Sequence, residues 1–135
     1  MDKQQMSLFP SGPTTGDDSP FHLSSDTALK AAVGAFKKYM QYEGFSRHTI
    51  SAFSSDLNLL GKYLGIGQAV GQVSTRNLND FLKWMAEDRG VPCSPKTYAR
   101  RVTTLKVFFG WLFKGGILFA DPAAAVIQRS VRSPL

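Results

Sequence analysis

The spacing of apolar residues limits the fold of this 135-residue chain more than any other feature. In four segments the apolar residues recur at intervals of three and four, and no segment alternates at a period of two for long. Intervals of three and four place side chains on one face of an α-helix, whereas alternation is typical of a strand. The sequence therefore predicts an all-α bundle of four main helices with a short C-terminal helix.

Three of the main helices have a clear start signal, a serine that can act as an N-cap. In the last of them the serine is followed by proline at the first helical position, and a pair of glycines marks the end. The predicted helices are A (about 26–43), B (after Ser46), C (about 75–88, after Ser74), D (from Ser94-Pro95 to Gly115-Gly116) and E (about 122–128). The apolar stripes expected to face the core are Leu29, Ala32, Val33, Phe36 and Met40 in A; Ile50, Phe53, Leu57, Leu60 and Leu64 in B; Leu78, Phe81, Leu82 and Met85 in C; and Tyr98, Val102, Leu105, Phe109 and Leu112 in D.

The two ends of the chain differ in composition from its middle. Residues 1–24 are rich in Pro, Gly, Ser, Thr and Asp without any period, which predicts a disordered tail that serves as a spacer or as a partner-binding arm. Residues 25–128 are then one folded domain, and residues 129–135 resemble the start of a linker. No apolar run approaches the roughly 18 residues of a membrane span, and no signal-peptide pattern is present. With a single cysteine, Cys93, the sequence predicts a cytoplasmic protein.

No group of residues has the spacing of an active site. The chain has two histidines and one cysteine, and its carboxylates are scattered, so neither an acid–base pair nor a metal site can be assembled from them. The glycines of the loop LGIGQAVGQ do not have the spacing of a phosphate-binding loop. We therefore predict no cofactor, no metal ion and no enzyme activity for this chain alone.

Positive charge is concentrated in the C-terminal third, above all on helix D. The formal net charge is +6, and Asp121 is the only acidic residue from Gly90 onward. Solvated helices usually pair opposite charges at i,i+4, but helix D contains no acid. Lys, Arg and Thr are common donors to phosphate oxygens, and helix B carries a similar polar side, so both helices are predicted to contact nucleic acid. The residues predicted to do so are Arg47, His48, Thr49, Ser55 and Lys62 on B and Lys96, Thr97, Arg100, Arg101, Thr103 and Lys106 on D.

These two helices carry blocks that resemble the core-binding domain of tyrosine recombinases, the phage integrases and Xer-type enzymes. The first block of that family reads S-x-x-T, an aromatic, Asp-Leu and a bulky apolar residue. The second reads S-P-x-T, Arg, a leucine–basic pair, Phe-Phe and a closing Asn/Asp-Pro. The matching residues are Ser46, Thr49, Phe53, Asp56, Leu57 and Leu60 in the first block, and Ser94, Pro95, Thr97, Arg100, Leu105, Lys106, Phe108, Phe109, Asp121 and Pro122 in the second.

The resemblance covers about residues 25–128 and implies a SAM-like bundle that forms one jaw of a clamp on duplex DNA. The second and fourth helices of the bundle are then expected to lie at the major groove. The strand-transfer chemistry is expected to take place in a separate catalytic domain. It also implies a role in DNA integration or recombination at the nucleoid, with helix A and residues 122–128 contacting neighbouring protomers in a synaptic complex. Arg101 stands where the family often has an aromatic residue or histidine.

A helical protein–protein interaction module is the alternative interpretation. Trp111 and Val107 on helix D and Leu59 on helix B lie away from the main apolar stripes. If these side chains are exposed, a protein partner is favoured. If they pack under helix E, the DNA-binding interpretation is favoured.

Overall fold

The computed structural model describes residues 22–88 and 93–126, which form a bundle of four α-helices. Helices A to D become α1 (Leu29–Tyr42), α2 (Arg47–Leu64), α3 (Thr75–Lys83) and α4 (Pro95–Lys114). A 3-10 turn, Val70–Gln72, precedes α3, and a π-helical turn, Trp84–Asp88, extends it. Among the described residues the only β-type pairing is an isolated bridge, so the all-α prediction is confirmed. Residues 1–21 of the predicted tail and the whole predicted linker, 129–135, lie outside the described residues.

Serine N-caps begin three of the four helices, as the sequence predicts. In each case the serine Oγ accepts a hydrogen bond from the backbone N–H three residues on, which satisfies a donor that the helix itself leaves unpaired. At α3 the Asn77 side chain also accepts from the Ser74 N–H at 2.9 Å, which completes a capping box. The starts of B, C and D are therefore fixed locally.

The first helix begins three residues later than predicted, because its N-terminus is capped by another part of the chain. The N–H groups of Leu29 and Lys30 donate to the carbonyls of Gln68 (2.7 Å) and Ile66 (3.2 Å) in the connection after α2. No side chain caps this helix. The residues before it, 24–28, lie against that connection and do not extend the helix.

The prediction of helix E is wrong for residues 122–126, the part of it that the structure describes. Residues 122–126 form turns in which Ala124 N–H and Val126 N–H donate to carbonyls three residues back. Asp121 Oδ1 accepts the Ala123 N–H at 2.9 Å, a local bond that competes with helix formation. Residues 127 and 128 lie outside the described residues.

The core confirms the predicted apolar stripes of all four helices. Every stripe residue of α4 is buried, while Val33 of α1 and Ile50 and Leu64 of α2 are half-buried at the edge of the same cluster. Phe108, which lies beside the α4 stripe, is also fully buried and meets Phe36 of α1 edge-on, with ring centroids 5.3 Å apart.

The position of Trp111 agrees with neither of the two alternatives given above, exposure to solvent or packing under helix E. Its side chain is 5% exposed, so it does not project into solvent. It packs against α1, with ring centroids 5.2 Å from Phe36 and 5.3 Å from Tyr39, and residues 122–126 do not form a helix that could cover it. Val107 and Leu59 are half-buried against the core. The apolar surface expected to favour a protein partner is therefore largely inside the bundle.

Two glycines, one in α2 and one in the connection before α3, are expected to respond in opposite ways to replacement by alanine. A Cβ at Gly61, inside α2, would meet only Ile66 Cγ2 at 3.5 Å, an ordinary contact, so the close helix crossing that this glycine suggests is absent. Gly61→Ala is therefore expected to raise the free energy of unfolding by about 0.5–1 kcal/mol. At Gly71 a Cβ would lie 2.8 Å from the Ser25 carbonyl oxygen, so Gly71→Ala is expected to lower it by about 1–3 kcal/mol. Urea denaturation followed by circular dichroism measures both changes. Changes of the same sign in the two variants would contradict this packing.

Candidate nucleic-acid interface

The outer side of α2 is a continuous polar stripe. Its members lie within an arc of about 100° at 100° per residue, opposite the buried stripe. Among the described residues, neither Arg47 nor Lys62 forms an ion pair, so both charges face solvent without a counter-charge. The exposed residues of this α2 stripe are Arg47, His48, Ser51, Ser55, Asn58 and Lys62.

A shallow groove of about 740 Å³ separates the α2 stripe from α1. Lys37 and Gln41 of α1 line one wall, and the other wall includes Arg47, Ser51 and Ser54. The Ser54 Oγ is buried and has no hydrogen-bond partner among the described residues. Lys37 extends the positive surface onto α1, which is not one of the two helices predicted to contact DNA.

The S-x-x-T motifs at the starts of α2 and α4 are hydroxyl pairs. The Ser46 and Thr49 hydroxyls are 2.9 Å apart, and those of Ser94 and Thr97 are 3.0 Å apart. In each pair the serine hydroxyl donates to the threonine hydroxyl. The hydrogen of the threonine hydroxyl is therefore available to an acceptor outside the helix. Helix N-termini also favour anions, because their first N–H groups lack partners within the helix.

The outer face of α4 is less uniform than that of α2. Lys96, Thr103 and Lys114 are exposed, as the sequence predicts. Lys106 is half-buried, and its Nζ donates to the Ala123 carbonyl at 3.2 Å, which ties α4 to the turn after it. Thr97 is half-buried in the first turn of α4, where its N–H donates to the Oγ of the N-cap residue Ser94.

A buried carboxylate on α2 binds the first half of α4. Asp56 is 1% exposed, and its two oxygens accept four hydrogen bonds. Arg100 donates from Nε (3.0 Å) and Nη2 in a bidentate pair, Arg101 donates from Nε at 3.3 Å, and Thr104 donates from Oγ1 at 2.8 Å. These four residues, Asp56, Arg100, Arg101 and Thr104, form the Asp56 cluster.

The Asp56 cluster corrects the sequence-based view of α4. The positive charge of this helix is partly offset after all, by an acid that comes from α2. Thr104 is completely buried, although its neighbour Thr103 is exposed. Arg101 has a side chain only 10% exposed, and its Nη1 donates to Cys93 Sγ at 3.3 Å, so its placement supports a structural role and not the predicted DNA contact. Hydrogen bonding to Asp56 raises the pKa of Arg100 above its usual value.

Sequence reasoning missed Asp56 and Thr104 as a functional unit, although one signal was available. Asp56 follows Phe53 by three residues and precedes Leu60 by four, which is the spacing of core positions. Arg101 has the same relation to Tyr98 and Leu105. A carboxylate and a guanidinium at core positions of two neighbouring helices are expected to pair, because an unpaired buried charge is strongly unfavourable.

Within the described part of the chain, none of the helices is both long and apolar enough to cross a membrane. Nor do three His, Cys, Asp or Glu side chains in this part come together in a way that could hold a metal ion.

Four helices, two of them with S-x-x-T starts and polar outer faces, are consistent with the small SAM-like bundle that the sequence resemblance implies. The family model described as the phage integrase N-terminal SAM-like domain matches residues 33–116, and the chain belongs to this family. The resemblance to tyrosine recombinases is thereby confirmed.

Several proteins named tyrosine recombinase XerC are similar to this chain. The protein of Mycobacterium tuberculosis is 30% identical over 108 residues, which cover 79% of this chain and 36% of the relative. That of Xylella fastidiosa is 31% identical over 99 residues, 73% of this chain and 33% of the relative. The protein of Bifidobacterium longum is 28% identical over 113 residues, which cover 82% of this chain and 31% of the relative. The chain thus spans about a third of the length of these relatives. No solved structure matches it.

Proposed function

We propose that this chain is the DNA-binding, core-binding domain of a site-specific tyrosine recombinase and that it contacts duplex DNA through α2 and α4. The observation that carries the proposal is the α2 stripe, which exposes Arg47 and Lys62 with no ion-pair partner among the described residues. Family membership supports it, since the matched domain belongs to enzymes that recombine DNA. Joined to a catalytic domain, this bundle is one jaw of the clamp.

The contacts in this proposal are mainly to phosphates. Exposed Lys and Arg supply charge, Ser and Thr hydroxyls supply donors, and the two helix N-termini add backbone N–H groups. Arg101 and Lys106 serve the fold, because their side chains are engaged with Asp56 and with Ala123. The proposed contact residues are Arg47, His48, Thr49, Ser55 and Lys62 on α2 and Lys96, Thr97, Arg100 and Thr103 on α4.

The rest of the recombinase function is proposed from the family. Strand transfer belongs to the catalytic domain of the parent protein, which works on the DNA of the nucleoid. The proposed contacts with neighbouring protomers in the synaptic complex involve α1 and residues 122–128, of which 127 and 128 lie outside the described residues. On this proposal the described bundle binds and orients DNA and does not itself cleave it.

Salt dependence of DNA binding tests the proposal. We expect the chain to bind a 30-base-pair duplex with a Kd on the order of 10⁻⁴–10⁻⁶ M, and log K to fall with log salt with a slope of about −3 to −6. Fluorescence anisotropy between 50 and 200 mM salt, a window chosen for its effect on phosphate contacts, measures both. Affinity that does not change with salt would contradict the proposal.

A pair of double variants locates the DNA-binding face. Lys62→Gln with Lys96→Gln removes two charges from the proposed face and is expected to reduce the slope by about two. Arg76→Gln with Lys83→Gln removes two exposed charges from α3 and is expected to leave the slope unchanged. Equal effects of the two double variants would show that binding depends on net charge and not on this face.

The second candidate function, a helical protein-interaction module, is favoured by one observation. Phe119 is fully exposed in the segment after α4, and Phe113 on α4 is 44% exposed. No DNA binding at either salt concentration would favour this function. Unchanged DNA binding by Phe119→Ser is expected if the DNA-binding proposal is right, because this residue lies off the proposed face.

A further inference from the structure

The Asp56 cluster carries more positive than negative charge. It contains one carboxylate and two guanidinium groups, which gives 2 − 1 = +1. Within the described residues, neither arginine forms an ion pair with any acid other than Asp56. A surplus charge in a partly buried cluster is unfavourable unless an anion offsets it.

The surplus charge reaches the surface at Arg100. The side chain of Arg100 is 38% exposed, compared with 10% for Arg101 and 1% for Asp56. Two of the three guanidinium nitrogens of Arg100, Nε and Nη2, are bound to Asp56. Its Nη1 has no hydrogen-bond partner among the described residues, so this edge of the group is available to a ligand.

The bidentate pair fixes the plane of the Arg100 guanidinium. Two parallel N–H···O bonds hold the group in one orientation, and Arg101 and Thr104 occupy the remaining acceptor positions of the carboxylate. A side chain that is already ordered loses little conformational entropy when it binds. Lys96 and Thr103, four residues before and three residues after Arg100, are its neighbours along the same side of α4 and are exposed.

We propose that Asp56 is a positioning residue, which holds Arg100 so that its outer guanidinium edge binds a phosphate oxygen of DNA beside Lys96 and Thr103. This inference rests on the proposed DNA-binding function and adds a specific phosphate site to it. The buried carboxylate thus aids the binding of a polyanion, although its own charge is negative.

Asp56→Asn tests the sign of this effect. The substitution raises the net charge by one, so a carboxylate that merely neutralised the arginines would, when removed, strengthen DNA binding and steepen the salt slope. A positioning role gives the opposite result: affinity falls by about three- to tenfold and the slope decreases by about one, as for the loss of one phosphate contact. Anisotropy with the same duplex measures both quantities, and circular dichroism establishes that the variant is folded.

Arg100→Lys decides the question if Asp56→Asn does not fold. It keeps the charge but loses the planar, bidentate group, and its position is partly exposed, so the bundle is retained. We expect the same three- to tenfold loss of affinity, about the effect of one phosphate contact. The matched control is Arg76→Lys, which changes an exposed arginine paired with Asp80 at 3.9 Å on α3 and is expected to bind like the wild type.

Three outcomes separate the possibilities. Tighter binding by Asp56→Asn, or wild-type binding by Arg100→Lys, would overturn the positioning role while leaving the DNA-binding function intact. Weaker binding by both variants, with Arg76→Lys unchanged, would support the positioning role. A wild-type chain that does not bind the duplex at 50 mM salt would refute the proposed function, and the phosphate site with it.

Discussion

Replacement of Phe109 by alanine is expected to lower the free energy of unfolding by about 3–5 kcal/mol. The ring is fully buried and meets Phe108 edge-on, with centroids 4.9 Å apart. Truncation therefore removes apolar contacts and leaves a cavity that the rigid helices around it fill only in part. Urea denaturation followed by far-UV circular dichroism measures the loss, which is a large share of the roughly 5–15 kcal/mol typical of a domain.

Phe113→Ala is the matched control for Phe109→Ala. It makes the same chemical change one turn further along α4, at a side chain that is exposed. We expect a loss below about 1 kcal/mol, because less apolar surface is removed from the interior. Equal losses at the two positions would mean that the core face of α4 is wrongly assigned.

Replacement of Asp56 by alanine is expected to lower the free energy of unfolding by about 3–5 kcal/mol, because Arg101 then remains buried without a counter-charge. The control is Asp80→Ala, which breaks the exposed Arg76–Asp80 pair and is expected to change stability by less than about 1 kcal/mol. Both values come from the same urea experiment.

A double-mutant cycle with Arg101→Met shows whether the loss comes from the pair. Once the guanidinium is replaced by an apolar side chain, removal of the carboxylate is expected to be much less harmful, since one fewer charge is left unpaired. Losses that simply add would show that Asp56 and Arg101 do not act as an energetic unit.

The faces and starts of the helices could be predicted from the sequence because both depend on neighbouring residues. The stripe from Tyr98 to Leu112 is a matter of spacing within one helix, and the Ser94 cap needs only the N–H of Thr97. The start of α1 at Leu29 could not be predicted in the same way, because the carbonyls that cap it belong to Gln68 and Ile66. These residues lie more than thirty positions away along the chain.

The candidate nucleic-acid interface also combines features set by neighbouring residues with features set by distant parts of the chain. Four members of the α2 stripe, Arg47, His48, Ser55 and Lys62, were predicted, since they are set opposite an apolar stripe of the same helix. On α4 the spacing of residues within the helix could not show that Asp56 of α2 lies against Arg101 and Thr104. A carboxylate on another helix thus places Arg101, a predicted surface residue, in the interior. Trp111 is inside for a comparable reason, because α1 covers it.

The attachments at the two ends of the described bundle have a mechanical consequence. The segment before α1 is held by the bonds from Val70 N–H and Gly71 N–H to the Thr27 and Ser25 carbonyls, 2.9 and 2.8 Å long. The segment after α4 is held by the Thr75 hydroxyl, which donates to the Pro122 carbonyl at 2.7 Å. Tension applied at residues 22 and 126 would therefore load these bonds first, together with the bond from Lys106 Nζ to the Ala123 carbonyl. We expect them to reduce the movement of the flanking chain that reaches the packing between α2 and α4.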